Sequence, residues 1–424
     1  MIRLERSNSR RSVLVLLVIG IIIIGTLSLI PNALYQESVT RPPAEPFISS
    51  NDAASAASKL SGGRPEFDAA SWYAERGEEP EEHGVMIESL SHDRLFASHN
   101  ADQVFNPASL VKLATSLAAL KKLGADYRFR TRVYAEGEVD NAGTLRGQLY
   151  VIGNDPTFGD VAAGLISNEL RARGIKRIDG HLNVSPDFCF NYSESAEDSA
   201  LRLLKALHLG DARTGLSGEP VSGLMFALST YELRDVLLYM NAHSSNFVAE
   251  RVGALVGGAV GVQQFLVDEV RLPPDQVTIA RVSGREHNRM TPRGMLMVLR
   301  ALVEETKRQG LEPADIMPVA SDDSGTLRRR LMGTPLEGAV IAKTGTLTAE
   351  VDGGMASIAG IVYTDDAGMV LFAIFDQGNR IWDHRQMEDQ LLAEVITTQA
   401  RPRAFGIPPQ RQLLPSSTLR IEKG

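Results

Sequence analysis

Residues 13–30 run without a single charged side chain, and Arg3, Arg6, Arg10 and Arg11 stand in front of them. A stretch of that length just reaches across a bilayer and exceeds the apolar core of a usual signal peptide. Arginines before it and few after it place the N-terminus in the cytoplasm and export the rest. No clear small-x-small cleavage site follows the run, so residues 1–31 read as a cytoplasmic N-terminus and a signal-anchor rather than a cleaved signal peptide. The expected location is periplasmic or extracytoplasmic, tethered to the inner membrane. Whatever follows must build its core on the outer side, and 43% hydrophobic residues in a chain of 424 are ample for that.

The rest of the composition mainly excludes. Net charge is -8 with both signs scattered, which argues against a nucleic-acid partner. The one cysteine, Cys189, cannot form an intramolecular disulfide and reads as a small buried apolar residue between Phe188 and Phe190. No His, Cys, Asp or Glu set has metal-ligand spacing, and no Gly-rich phosphate loop follows a strand, so neither metal nor nucleotide cofactor is expected.

Residues 32–66, with Pro42-Pro43, Ser49-Ser50 and Gly62-Gly63, read as a flexible linker. The acidic run of Glu78, Glu79, Glu81 and Glu82 reads as a solvated face. Folding signals begin at 84–90, GVMIESL, which a polar turn joins to Leu95-Phe96-Ala97 as a hairpin. The alternating YRFRTRVY at 127–134 and the run at 148–152 predict strands. A helix from about 160 closes at Gly174, and 176–184 gives another strand. Residues 67–125 and 226–400 thus frame an inserted, mixed α/β subdomain at 126–225. Ser229 and Glu232 have capping-box spacing for a helix reaching about 240. Helices then dominate to about 308, strands return near 338–345, 355–363 and 369–375, and a last helix covers about 383–399. The proline-rich end, 401–424, reads as a loose tail.

Three polar clusters carry chemistry. The first is NPASLVK at 106–112, where Asn106 is a good N-cap, Pro107 suits the first helical position, and Ser109 and Lys112 are i, i+3 neighbours on one face. The second is Ser244-Ser245-Asn246, a polar corner between helices. The third is Lys343-Thr344-Gly345-Thr346 at the end of an apolar strand. Serine is a poor nucleophile unless a base lies beside it, and lysine becomes that base only if burial or another cation depresses its pKa. Lys343 supplies such a cation and attracts a substrate carboxylate, with Thr344 and Thr346 donating hydrogen bonds. Gly345 is expected to let a substrate backbone approach the strand. Ser244 relays a proton to the leaving amine, and Asn246 holds substrate and Lys112. The N–H groups of Ser109 and Thr346 are the candidate oxyanion donors. Acyl transfer is the reaction this set fits. His243, beside the second cluster, reads as structural or exposed, because the chemistry already has its base.

In this order the three clusters resemble the SxxK, SxN and KTG signatures of the penicillin-interactive serine enzymes. More narrowly the chain is similar to the D-alanyl-D-alanine carboxypeptidase/endopeptidase family, the low-molecular-mass class C penicillin-binding proteins. LYVIGNDPT at 149–157 resembles that family's LYLVGGGDPTL, and NRMTPR at 288–293 its NRVTPR. GTLRRRL at 325–331 with AKTGTLT at 342–348 resembles its GTLxxR and AKTGTLTG block. The family's DGSGLS appears here only as RVSGREH at 281–287, and the stretch between Lys112 and Ser244 is shorter than in members with two inserted domains.

The resemblance implies an α+β fold of the penicillin-binding-protein/β-lactamase type, an antiparallel sheet flanked by helices plus a helical subdomain. It implies a cofactor-free peptidase that binds peptidoglycan stem peptides and is acylated by β-lactam antibiotics. It carries Ser109 over as nucleophile, Lys112 as base, Ser244 and Asn246 as relay and positioning group, and Lys343 with Thr344 as carboxylate site. A β-lactamase and a non-catalytic penicillin-binding or peptidoglycan-binding sensor or scaffold remain the alternatives. No deacylating glutamate is apparent in the sequence.

Overall fold

The computed structural model describes residues 66–406 and 411–423. The apolar run at 13–30 and nearly all of the linker fall outside them. Among the described residues no helix is long and apolar enough to cross a membrane.

After helix α1 (Ala69–Ala74) the chain forms the hairpin β1 (His83–Ser89) and β2 (Leu95–His99), then α2 (Val111–Leu123). Next come β3 (Arg128–Val139), β4 (Thr144–Ile152), α3 (Asp160–Ala172), β5 (Arg177–Val184), α4 (Ala196–Leu207), β6 (Arg213–Leu216) and β7 (Leu224–Glu232). Helices α5 (Leu233–His243), α6 (Asn246–Leu255) and α7 (Gly258–Asp268) follow. The short pair β8 (Val277–Thr278) and β9 (Arg289–Met290) precedes α8 (Pro292–Arg308). Strands β10 (Val340–Leu347), β11 (Met355–Tyr363) and β12 (Met369–Gln377), helix α9 (Ile381–Gln399) and β13 (Arg420–Lys423) complete the order.

Five strands make one antiparallel sheet in the order β10-β11-β12-β1-β2. Alternate residues of β12 enter two different cores. Leu371, Ala373 and Phe375 meet the helices α2 and α5 to α8, whereas Val370, Phe372 and Ile374 meet α1 and α9. A sheet covered on both faces needs no polar alternation, which is why β11 and β12 read as nearly continuous apolar runs. Strand β10 lies at the sheet edge, flanked by the helical subdomain.

The inserted unit is a six-stranded sheet, β13-β7-β3-β4-β5-β6, antiparallel through β4 and parallel through β5 and β6. One face buries Leu149, Val151, Leu182 and Phe226 against Ile166 and Leu170 of α3 and Leu203 and Leu207 of α4.

Three sequence expectations change here. Ser229 and Glu232 form no capping box: both belong to β7, whose continuous buried run carries the insert's sheet up to the start of α5. Ser229 donates instead to Glu422, and Glu232 pairs with Arg128 at 2.6 Å. The residues expected as a loose tail supply β13, antiparallel to β7, and Arg411 lies 2.7 Å from the fully buried Asp323 carboxylate. An edge strand and an ion pair with a buried acid hold what proline content alone reads as loose. Glu78 is no solvated acid, since its side chain is 8% exposed and lies 2.7 Å from Arg380 and 3.6 Å from His384. Glu79, Glu81 and Glu82 are exposed as expected.

Candidate active site

Ser109 lies in a 3-10 turn, Ala108–Leu110, that leads directly into α2. Asn106 does not cap that helix. Its Oδ1 accepts the Ala108 N–H at 3.0 Å, and its amide donates to the Glu286 carbonyl (2.9 Å) and to Asp352 (2.7 Å). The turn is thereby tied to both neighbouring loops, and Ala108 sits at φ +49°, a conformation most side chains avoid. Gly284, at φ +85°, closes on the same turn, because a Cβ there would lie 2.1 Å from the Ala108 carbonyl oxygen.

Lys112, on the first turn of α2, is fully buried. Its Nζ donates to Ser109 Oγ (2.9 Å), to Asn246 Oδ1 (2.8 Å) and to the Ser283 carbonyl. Burial pushes the ammonium down to about 7; the Glu250 carboxylate pulls the other way, and Arg285 adds to the depression. Near neutral pH a large fraction of this amine is therefore uncharged and available to take the Ser109 proton.

Ser244 ends α5 in a left-handed conformation, φ +52°, and Ser245 then caps α6 by accepting the Val248 N–H at 3.3 Å. This corner turns Ser244 Oγ toward Lys343, whose Nζ donates to it at 2.9 Å and to the Thr344 carbonyl at 2.6 Å. Lys343 is also fully buried. Burial, then Lys112, then Arg385 push its pKa well below the ordinary lysine value. The corner caps α6 through Ser245 while Ser244 Oγ meets Lys343 and Asn246 Oδ1 meets Lys112, so capping does not exclude the expected roles. His243 is exposed and packs against Tyr239, outside this network.

On the side away from β11 the start of β10 is covered, Val319 bridging Ile341. Ala342 N–H donates to Pro318, away from β11. Because backbone groups alternate along a strand, Thr344 and Thr346 turn theirs to that same side. An extended peptide adding along this edge meets the Thr346 N–H, while the Ser109 N–H lies in the opening turn of a helix, where intrahelical acceptors are missing. These are the two candidate oxyanion donors named from the sequence.

Gly345 departs from expectation. A Cβ at this position would lie 2.1 Å from Ser357 Oγ and 2.9 Å from both Ala108 Cβ and the Pro107 oxygen. The missing side chain makes room for Ser357 and for the turn that carries Ser109. The block at 325–331 is likewise architectural. Gly325 and Thr326 abut the Ala242 carbonyl just before the second cluster, and Thr326 Oγ1 accepts from Thr344 Oγ1 at 2.9 Å. Arg330 pairs with Glu388 and Asp389 of α9, each at 2.7 Å.

Two contributors escaped the sequence reading. Ser283 acts through a backbone carbonyl, for which side-chain identity gives no signal. Glu250 accepts the Ser283 N–H at 3.2 Å and so orients that carbonyl; its place one helical turn after Asn246 was the available hint.

Among the described residues no group of three or more His, Cys, Asp or Glu side chains is placed to hold a metal ion. The geometry sets a serine hydroxyl against one buried lysine, with a second buried lysine and the end of strand β10 beside them.

Comparison with known proteins bears on family and fold. Residues 70–199 and 221–398 match the D-Ala-D-Ala carboxypeptidase 3 (S13) family. Over 115 residues, 27% of this chain, the sequence is 31% identical to a D-alanyl-D-alanine carboxypeptidase of Actinomadura sp. strain R39. The matched stretch is 21% of the length of that relative, and the same share holds for a second such carboxypeptidase, DacB of Haemophilus influenzae. A predatory peptidoglycan endopeptidase of Bdellovibrio bacteriovorus superposes with a TM-score of 0.68 at 19% identity, covering 80% of this chain and 98% of that one. Penicillin binding protein 4 of Haemophilus influenzae does so with a TM-score of 0.59 at 20% identity, covering 74% and 96%. The fold expected from the sequence, a penicillin-binding-protein type with an inserted α/β subdomain, is the fold these structures share.

Proposed function

Because the chain belongs to the D-Ala-D-Ala carboxypeptidase 3 (S13) family, we propose that it is a serine D,D-peptidase acting on peptidoglycan stem peptides. The observation that carries this reading is the 2.9 Å contact between Ser109 Oγ and a Lys112 amine whose burial holds its pKa at about 7. Neutral Lys112 takes the hydroxyl proton as Ser109 Oγ bonds to the carbonyl carbon of the scissile amide. The oxyanion is received by the N–H groups of Ser109 and Thr346, each such donor being worth about 3 kcal/mol of barrier. As the C–N bond breaks, Ser244 passes a proton to the leaving amine and recovers one from Lys343. Water then hydrolyses the Ser109 ester, its proton passing to Lys343 while Lys112 returns to Ser109 Oγ the proton it took, so that both amines end as they began. β-Lactams, which present a strained amide to the same serine, are covalent inhibitors on this reading.

The direct test uses residues 66–424 with a stem pentapeptide ending in D-Ala-D-Ala and follows release of free D-alanine. Release together with labelling by a fluorescent penicillin is expected. Label without release leaves a sensor, and rapid turnover of a chromogenic cephalosporin leaves a β-lactamase.

We also propose that residues 13–30 tether this unit to the inner membrane with its cleft outside. The support is the uncharged run behind four arginines. The full chain is then expected to stay with membranes after alkaline carbonate extraction, and a chain starting at residue 66 to be released. Extraction of the full chain into the soluble fraction would refute the tether.

A further inference from the structure

We infer that Asp352 is a positioning residue: its carboxylate latches the loop after β10 to the turn that carries Ser109, and so sets the gap between the oxyanion N–H groups of Ser109 and Thr346. The inference rests on the D,D-peptidase reading and adds what holds its two halves in register. The two donors come from separate elements, and they stabilise an oxyanion only if both point at one atom. Asp352 lies in the β10–β11 loop, shortly beyond Thr346. Its Oδ2 accepts from Asn106 Nδ2 at 2.7 Å and from Arg289 Nη1 at 2.8 Å, and its Oδ1 accepts from Arg289 Nη2 at 3.2 Å and meets His287 Nδ1 at 3.0 Å. Three residues from two other segments thus converge on one carboxylate.

Each partner leads back to the nucleophile. Asn106 is buried, and while its amide bonds Asp352 its Oδ1 accepts the N–H of Ala108, the residue before Ser109. The same amide donates to the Glu286 carbonyl, in the loop whose Ser283 carbonyl receives Lys112. Arg289 reaches Asp352 from β9 with its Nη1 also on the Asn288 carbonyl at 2.7 Å, and Asn288 Oδ1 in turn accepts the Ala280 and Arg281 N–H groups. An arginine fork on a carboxylate fixes direction as well as distance. On the strand side the loop aims the carboxylate back, for Asp352 has φ +52°, a left-handed conformation that aspartate and asparagine tolerate better than most residues. Burial alone would raise its pKa, yet the bonds from Arg289, Asn106 and His287 outweigh that and hold it at about 2. The carboxylate therefore stays charged wherever Lys112 titrates. Both loops also leave the family pattern here. The AKTGTLTG block ends at Thr348, with Ala349 where the family has glycine, and DGSGLS is reduced to RVSGREH. The two altered segments meet at Asp352 and His287.

The test compares the parent with Asp352→Asn and Asp352→Gly, both of which suit a left-handed backbone, so that the carboxylate is removed without added strain. Stopped-flow acylation by a chromogenic β-lactam gives the maximal rate and the half-saturating concentration. A D-boroalanine peptide, whose adduct with Ser109 carries a negatively charged tetrahedral centre, reports oxyanion binding without turnover. Asp352→Gly is expected to acylate roughly 10- to 100-fold more slowly, with the half-saturating concentration within about threefold, and to bind the boronic acid more weakly by the same factor as the rate falls. Asp352→Asn keeps one oxygen acceptor but loses the charge, and is expected to fall between. A maximal rate within about threefold of the parent in a folded Asp352→Gly would overturn the role. A slowed rate with undiminished boronic acid affinity would do so too, and would leave Asp352 a structural residue. If Asp352→Gly does not fold by thermal melting, Asp352→Asn decides on the same comparison of rate with boronic acid affinity. A parent that neither labels with fluorescent penicillin nor releases D-alanine removes the D,D-peptidase reading itself, an outcome distinct from a reactive parent whose variants react equally well.

Discussion

Ser109→Ala is expected to abolish covalent labelling by a fluorescent penicillin and to lower D-alanine release by more than about 10³-fold, while melting within a few degrees of the parent. Losing an acyl-forming nucleophile leaves only what the oxyanion donors and substrate binding contribute. The fold should tolerate the change, because the hydroxyl's contacts are local. It accepts from Lys112 at 2.9 Å and approaches the Ser283 carbonyl at 3.5 Å, and the backbone turn is held independently by Asn106, Asp352 and Gly284. A variant that still carries the label after denaturation would place the nucleophile elsewhere.

Lys112→Met is expected to slow acylation by roughly 10²- to 10⁴-fold, the usual contribution of a positioned base. The parent should show the same dependence through pH. A lysine held at about 7 by burial is protonated and inactive as a base below that value and neutral above it. The acylation rate should therefore rise with pH between about 5 and 8, with its midpoint near 7. Stopped-flow acylation by a chromogenic β-lactam reads this directly. A midpoint near the ordinary lysine value, or a profile flat across that window, would remove Lys112 from the role of base. The Glu250 carboxylate, which opposes the depression, keeps the amine from becoming too weak a base to accept the proton.

Most elements were legible in the sequence, because a strand or helix announces itself by a local period. The alternation in 127–134, the punctuation at Gly174 and the apolar runs at 355–363 and 369–375 each fall on the expected element. The reading failed where a local signal competed with a distant partner. Ser229 and Glu232 have capping spacing, yet β3 on one side and β13 on the other draw them into a sheet. Prolines make 401–424 look loose, yet its end finds the free edge of β7.

The candidate site divides in the same way. The order and composition of the three clusters determined the chemistry: a hydroxyl, two amines and an amide in that arrangement suit acyl transfer and little else. Tertiary structure decided the proton affinities of the two amines, for these depend on burial and on charges brought from far along the chain. Burial lowers both lysines most; Glu250, on the helix that Asn246 opens, opposes the depression at Lys112, and Arg385 of α9 adds to that at Lys343. Gly345 was recognisable as a glycine that mattered, but only the approach of Pro107 and Ala108 shows what fills its missing side chain. A sequence carries the functional groups, whereas the electric field and the free volume around them exist only once the chain has closed on itself.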